Sequence, residues 1–186
     1  MSANITEIAN RIKTLREDLD IPLSDMATVT NVTPEEYGVL ESGETDFSFT
    51  FLHHCANRLG VDIIELLTGE NPHLTGYSVT RAGEGLPIKR RAGFAYEHLA
   101  ATFRGKRVEP FVVRAPYSED EQAKPVALST HEGQEFDYIL SGSLKVVING
   151  HTELLNPGDS IIYDSGKPHG MIAAGGAQCV FLAFVF

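Results

Sequence analysis

The sequence predicts an α+β chain of two domains: five short helices over residues 1–70, a linker over 71–77, and an antiparallel β-barrel over 78–186. Three observations carry this. Before about residue 70 the apolar residues recur at helical spacing. Beyond it that period disappears, and short β-rich runs alternate with turn residues. Between the two lies Glu70-Asn71-Pro72-His73-Leu74-Thr75-Gly76, a polar stretch with Pro and Gly that reads as a linker.

The helices follow in order. Ile5, Ile8, Ala9, Ile12, Leu15 and Leu19 form one stripe at three- and four-residue intervals, which predicts the first helix. A second fits Leu23 to Thr30. Asn31 then supplies a residue that tolerates the left-handed conformation of a tight turn. In Thr33-Pro34-Glu35-Glu36, Thr33 can cap, Pro34 suits the first helical position and Glu36 completes a capping box, so a third helix runs from Pro34 to about Ser42. A fourth fits Phe51 to Leu59, ending at Gly60. A fifth fits Asp62 to Leu67, ending at Gly69.

The β half is set out by its separators. The runs YSVTR, FAYEHLAATF, EPFVVRA, PVALST, EFDYIL, LKVVI, TELL, SIIY, HGMIA and QCVFLAFVF give around ten short strands. Asn149-Gly150 is a two-residue hairpin signal, Pro157-Gly158 suits a type II turn, and Ser165-Gly166-Lys167-Pro168 is a further break. The last run is apolar throughout, which predicts a strand covered on both faces.

With 42% hydrophobic residues among 186, the chain has ample material for packed cores. No apolar run approaches the ~20 residues of a membrane span, and MSANITEIANRIK lacks a secretory apolar stretch. Cys55 and Cys179 stand far apart with no CxxC, the pattern of reduced buried thiols in a cytoplasmic protein. Residues 1–70 hold four bases against 13 acids, so −9 of the net −10 sits in the helical half.

Five short helices with a capped third helix after a tight turn resemble the helix-turn-helix domain of the phage-repressor (XRE-like) family. The resemblance rests on Ala27, Asn31, Val32, Thr33-Pro34, Leu40-Glu41-Ser42-Gly43 and the closing LGVDIIELL. It implies a third helix that enters the DNA major groove, with Thr33, Glu35, Glu36 and Tyr37 as DNA-contacting candidates and Gly38 and Glu41 on the same helix. Such a helix carries three glutamates and no base, whereas DNA affinity comes largely from Lys and Arg on phosphates.

Within STHEGQEFDYILSG, His131 and Glu135 have an even separation, which places them on one face of an extended chain. A turn at Glu132-Gly133 would place them on adjacent strands facing one interior. His169 follows a similar turn in YDSGKPHGMIA. Two imidazoles and one carboxylate are the donor set of a facial triad for a divalent metal such as Fe, Mn, Zn or Ni; the other reading is three groups that hydrogen-bond each other at the barrel mouth. Tyr96, Asp137 and Tyr138 are candidates for a ligand pocket. His53, His54, His73, His98 and His151 show no spacing that ties them to a site.

The same positions resemble the cupin family. His131, Glu135 and Gly142 fall on the spacing of its first motif, and Gly158, Gly166 and His169 on that of its second. Ser129, Asp164 and Ala173 stand where the family has histidine, proline and asparagine. The resemblance implies a jelly-roll barrel over about 78–186. It also reduces the usual four-ligand set to His131, Glu135 and His169, with Ser129 beside them in the pocket.

A helix-turn-helix domain followed by one cupin is similar to bacterial regulators that sense a small-molecule effector and bind DNA as a homodimer or higher homo-oligomer. It is also similar to mononuclear non-haem iron oxygenases of the hydroxypropylphosphonate epoxidase type, which implies a substrate and iron at the His131/Glu135/His169 triad. Tyr96 lies in a stretch similar to one that supplies a tyrosine there. The lysine that the helical domain contributes in that family has no counterpart in EDLDIPL. A third reading is a helical domain that binds another protein. None involves a membrane.

Overall fold

A computed structural model describes residues 5–89 and 93–186. By its internal contacts the chain falls into two compact units. The first comprises residues 1–78 with 101–105, and the second 79–100 with 106–186.

The first unit is built from α1 (Ile5–Asp18), α2 (Leu23–Val29), α3 (Pro34–Glu41), α4 (Phe49–Leu59) and α5 (Ile63–Thr68). The stripe of α1 buries Ile8, Ala9 and Ile12 but stops there: the helix ends at Asp18, Asp20 takes φ 51°, and Leu19 is exposed. Asn31 takes φ 57° in the α2–α3 turn, as its short polar side chain permits. Thr33 Oγ1 accepts from the Glu36 amide at 3.2 Å while Glu36 Oε2 accepts from the Thr33 amide at 2.8 Å, a complete capping box. Ser48 caps α4 and Asp62 caps α5, and Gly60 and Gly69 end them at positive φ. Tyr37, Phe47, Ile12, Met26, Leu52 and Leu66 form the core, with the Phe47 and Phe51 rings stacked at 5.5 Å. Arg11 Nη1 donates to the carbonyls of Leu66 and Leu67 at 2.8 and 3.1 Å, satisfying acceptors in the last turn of α5. The stretch expected as a linker carries a parallel bridge from Leu74 to Phe103, which is why 101–105 belongs to this unit.

The second unit contains nine strands among the described residues: β1 (Leu86–Lys89), β2 (Ala95–His98), β3 (Glu109–Ala115), β4 (Gln134–Ser141), β5 (Ser143–Ile148), β6 (His151–Leu155), β7 (Ser160–Asp164), β8 (His169–Ala174) and β9 (Cys179–Val185). A short helix, α6 (Glu119–Gln122), precedes β4. The strands form two antiparallel sheets, six-stranded in the order β1-β2-β3-β9-β4-β7 and three-stranded in the order β6-β5-β8, rather than one closed barrel. YSVTR is not a strand, and PVALST contributes only a bridge from Ser129 to His169. The last strand also differs from expectation: β9 alternates fully buried and half-buried residues, so only one of its faces is sealed.

That alternation defines the site. Register places Glu109, Val185, Glu135 and Tyr163 in one row across β3, β9, β4 and β7. His98, Phe111, Ala183 and Asp137 form the next row. Seven of these eight residues are buried and Glu109 is half-buried, so the rows lie on the inner face.

Candidate metal centre

The three donors come from both sheets and a turn. Glu135 enters from β4, the second residue of its strand. His131 lies just before a bend at Glu132-Gly133, so the two are neither on one extended strand nor on two paired strands. Gly133 makes the bend: its φ is +94°, and a Cβ there would lie 1.8 Å from the Phe186 carbonyl oxygen. The His131 amide donates to Ser165 O at 3.0 Å and the Ser165 amide to Gly133 O at 3.1 Å, which locks this bend to the turn before β8. His169 opens β8, and its backbone exchanges both hydrogen bonds with Ser129 at 2.8 and 3.0 Å.

The result is compact and dry. His131, Glu135 and His169 each offer a ligand atom within 4.8 Å of the others, and all three are buried. His131 Nε2 lies 3.4 Å from Glu135 Oε2, and the two imidazole rings meet edge to face at 5.1 Å. Nδ1 of His131 bonds to the Glu132 carbonyl at 3.1 Å and Nδ1 of His169 to the Lys167 carbonyl at 2.9 Å. A carbonyl only accepts, so each Nδ1 carries the hydrogen and each Nε2 keeps its lone pair in the neutral ring. This outer-shell arrangement is what metal-ligating histidines require. Two imidazole nitrogens and one carboxylate are thus a donor set that would fit a divalent metal.

The surroundings are polar. Asp137 is fully buried, with its carboxyl against that of Glu135. Burial, and then the neighbouring Glu135, hold its carboxyl well above the usual range. The Tyr163 hydroxyl is buried beside Glu135, and the Ser165 Oγ is buried without a partner among the described residues. Burial raises the Tyr163 phenol, with Glu135 and Asp137 adding to the shift. Further along the inner face, the buried His98 accepts from the Ala100 amide at Nδ1 (3.0 Å) and meets Glu109 through Nε2. Lys106 Nζ lies 3.6 Å from the same carboxylate.

The structure therefore brings His131, Glu135, His169 and Asp137 together. Tyr96 is half-buried in β2, on the inner face two residues from His98, with its ring against Phe94 and Phe111. Tyr138 is not in the pocket: it alternates with Asp137 and Ile139 and is 39% exposed on the opposite face. Ser129 contributes only its backbone pairing to His169, and its side chain is exposed. Tyr163 and Ser165 were missed; alternation along SIIYDS, with Tyr163 opposite Glu135, was the signal that could have found them. His98 is a buried histidine paired with Glu109, which lies across a loop that sequence spacing does not reveal.

On α3 the expected surface is mostly spent inside the unit. Tyr37 is 0% exposed and packs against Phe51 at 5.7 Å, so it cannot contact DNA. Thr33 and Glu36 engage each other in the capping box, and the bond from the Thr33 amide holds the Glu36 carboxyl below its usual range. Glu41 is buried in a two-pronged ion pair with Arg16, at 2.7 and 2.9 Å. Glu35 remains exposed.

Two antiparallel sheets thus present two histidines and a glutamate inward, a group that could hold a divalent metal. Residues 120–185 match the cupin domain family. Over 181 residues the chain is 26% identical to (S)-2-hydroxypropylphosphonic acid epoxidase of Streptomyces wedmorensis, a match covering 92% of this chain and 90% of that protein. A crystal structure of iron(II) HppE superposes with a TM-score of 0.53 at 25% identity, over 98% of this chain and all of the other. An HTH_3 family transcriptional regulator from Vibrio cholerae superposes with a TM-score of 0.64 at 22% identity, over 98% and 96% of the two chains. That likeness is one of fold.

Proposed function

We propose that the chain is a mononuclear metal-dependent enzyme that oxidises a small organic molecule at the His131/Glu135/His169 centre. The observation that carries this is the pair of Nδ1–carbonyl bonds, which turn both imidazole lone pairs toward Glu135 in a buried site. Iron(II) held by the three would supply redox chemistry toward dioxygen, as in 2-His-1-carboxylate oxygenases. The chain's own residues exclude water, fix both tautomers and leave ligand positions open for a substrate. The full-length similarity to an epoxidase supports an oxidation. The two buried free thiols suit a cytoplasmic setting, and no described helix is long and apolar enough to cross a membrane.

The regulator reading, with a small-molecule effector and a homodimer on DNA, draws support from the tight α2–α3 turn and the capped α3. Against it stands the chemistry of that surface. Arg16 is consumed by Glu41, Arg11 by the end of α5, and Arg58 lies 3.9 Å from Asp25, leaving few cations for phosphates.

The deciding experiment is metal analysis and oxygen uptake on purified protein beside His131→Ala. About one iron per chain in the wild type, lost in the folded variant, together with substrate-dependent oxygen uptake, is the expected outcome. Protein that cannot be loaded with iron, but shifts DNA from near its own gene at low salt, would overturn the enzyme reading in favour of the regulator.

A further inference from the structure

The outer face of the six-stranded sheet reverses the usual order. An antiparallel sheet commonly buries one face and turns polar residues outward on the other. In β4 the polar residues go inward instead: Glu135 and Asp137 are buried, while Phe136 and Tyr138 point outward. In β9, Val180, Leu182 and Phe184 alternate with the buried residues and stay half-buried. Register collects these outward side chains into rows across β3, β9, β4 and β7. One row runs Pro110, Phe184, Phe136 and Ile162; the next runs Val112, Leu182, Tyr138 and Ser160. None of the eight is charged, in a chain with 22% charged residues, and none is buried. Ile162 is 61% exposed, and the Phe136 and Phe184 rings lie 6.1 Å apart. The apolar run of β9 is that of a strand covered on both faces, and a single chain seals one.

We infer that this face is the interface between two copies of the chain, packed sheet on sheet about a two-fold axis. A two-fold contact uses one patch twice, so the patch must complement itself, and apolar sheet faces do so when they stack. Composition points to a second copy rather than a passing partner. Permanent homodimer interfaces are more apolar than the rest of the surface, poor in charge at their centre and rich in aromatics, whereas transient ones are about as polar as the surface around them. Here three of eight residues are aromatic and none is charged. The size agrees. At a rise of about 3.3 Å and a spacing of about 4.8 Å the six strands cover roughly 550 Å² in projection. A specific interface takes about 600–1,000 Å² of accessible surface from each partner, and side-chain relief makes accessible surface larger than its projection. At the rim, on β2 and β3, Glu97 and Arg114 form an ion pair at 2.9 Å, so that edge sets no net charge against the second copy.

The test is sedimentation velocity on the purified full chain at micromolar concentration, beside three variants. Tyr138→Glu with Ile162→Glu puts two charges on the face at exposed positions, and Ile162→Glu puts one. Leu154→Glu charges an exposed position of the three-stranded sheet and is the control. Circular dichroism checks that each is folded. The wild type is expected at an even multiple of the 20.3 kDa chain mass, the double variant at half the wild-type mass or less, and Leu154→Glu at the wild-type mass. If the double variant does not fold, Ile162→Glu on its edge strand decides, with a dissociation constant expected at least tenfold above that of the wild type. A monomeric wild type overturns the inference and leaves the face to a different protein. An assembly whose mass the charged variants keep, or one that Leu154→Glu splits as well, overturns it too.

Discussion

Glu41 and Gly133 show what single side chains contribute. Glu41 and Arg16 are both largely buried, and the hydrogen bond to Glu41 raises the Arg16 guanidinium above its ordinary value. Glu41→Ala removes two charge-assisted bonds and leaves Arg16 with Glu17 and the Ile21 carbonyl, each at 3.2 Å, and is expected to destabilise the helical unit by about 2 kcal/mol, read by denaturant titration. A loss below about 1 kcal/mol would mean that water replaces the carboxylate. Gly133→Ala meets both a positive φ and the Phe186 carbonyl. The expected outcome is a fall in metal affinity of roughly tenfold or more, measured by competition with a chelator, although no ligand has been changed. Some residues were legible in the sequence because their signal is local: His131 and Glu135 are four residues apart and both histidines stand beside turns, although a bend rather than strand alternation joins the first two. Tyr37 was misread because an aromatic residue on a short helix looks the same in sequence whether it faces solvent or the Phe51 ring. The Arg16–Glu41 pair spans 25 positions, and no local pattern encodes it.

At the scale of elements, caps and turn residues were the readable part. Thr33 begins α3 and Gly60 and Gly69 end their helices, because each answers a local geometric demand that one residue type meets. Thr33→Ala removes the side-chain half of the capping box and should cost about 1 kcal/mol, seen as a lower unfolding midpoint with unchanged slope. A drop in slope instead would show that α3 no longer unfolds with its unit. The sheets were less legible. LPIK carries little β signal, and β1 exists because four residues pair with Leu86–Lys89 from β2. The division of nine strands into a six-stranded and a three-stranded sheet is likewise set by long-range partners rather than by the runs themselves.

Over the whole molecule, the two thiols report on the two units. Cys55 lies in the helical core and Cys179 on the inner face of β9, both buried and free. Burial pushes the Cys179 thiol up to about 11 and the Cys55 thiol higher still. At pH 8 only about one Cys179 in 1,000 is then thiolate at any moment. Neither cysteine is expected to be alkylated by iodoacetamide at that pH in the native protein, and both should react after unfolding, as mass spectrometry would show. Prompt labelling of Cys179 in native protein would contradict the packing of β9. Metal gives a complementary readout. Saturating zinc at about 1,000 times its Kd should stabilise the β unit by about 4 kcal/mol, so Cys179 should become harder to label under mild denaturant.

The Nδ1–carbonyl bonds have a bearing on traffic through the centre. The Glu132 and Lys167 carbonyls belong to the backbone, so the bonds that fix both rings do not depend on an ion. An arriving ion meets donors that are already aimed, and a departing one leaves no collapsed shell to rebuild. Folding of the β unit is then expected to proceed in chelator-treated protein, with any metal loaded afterwards.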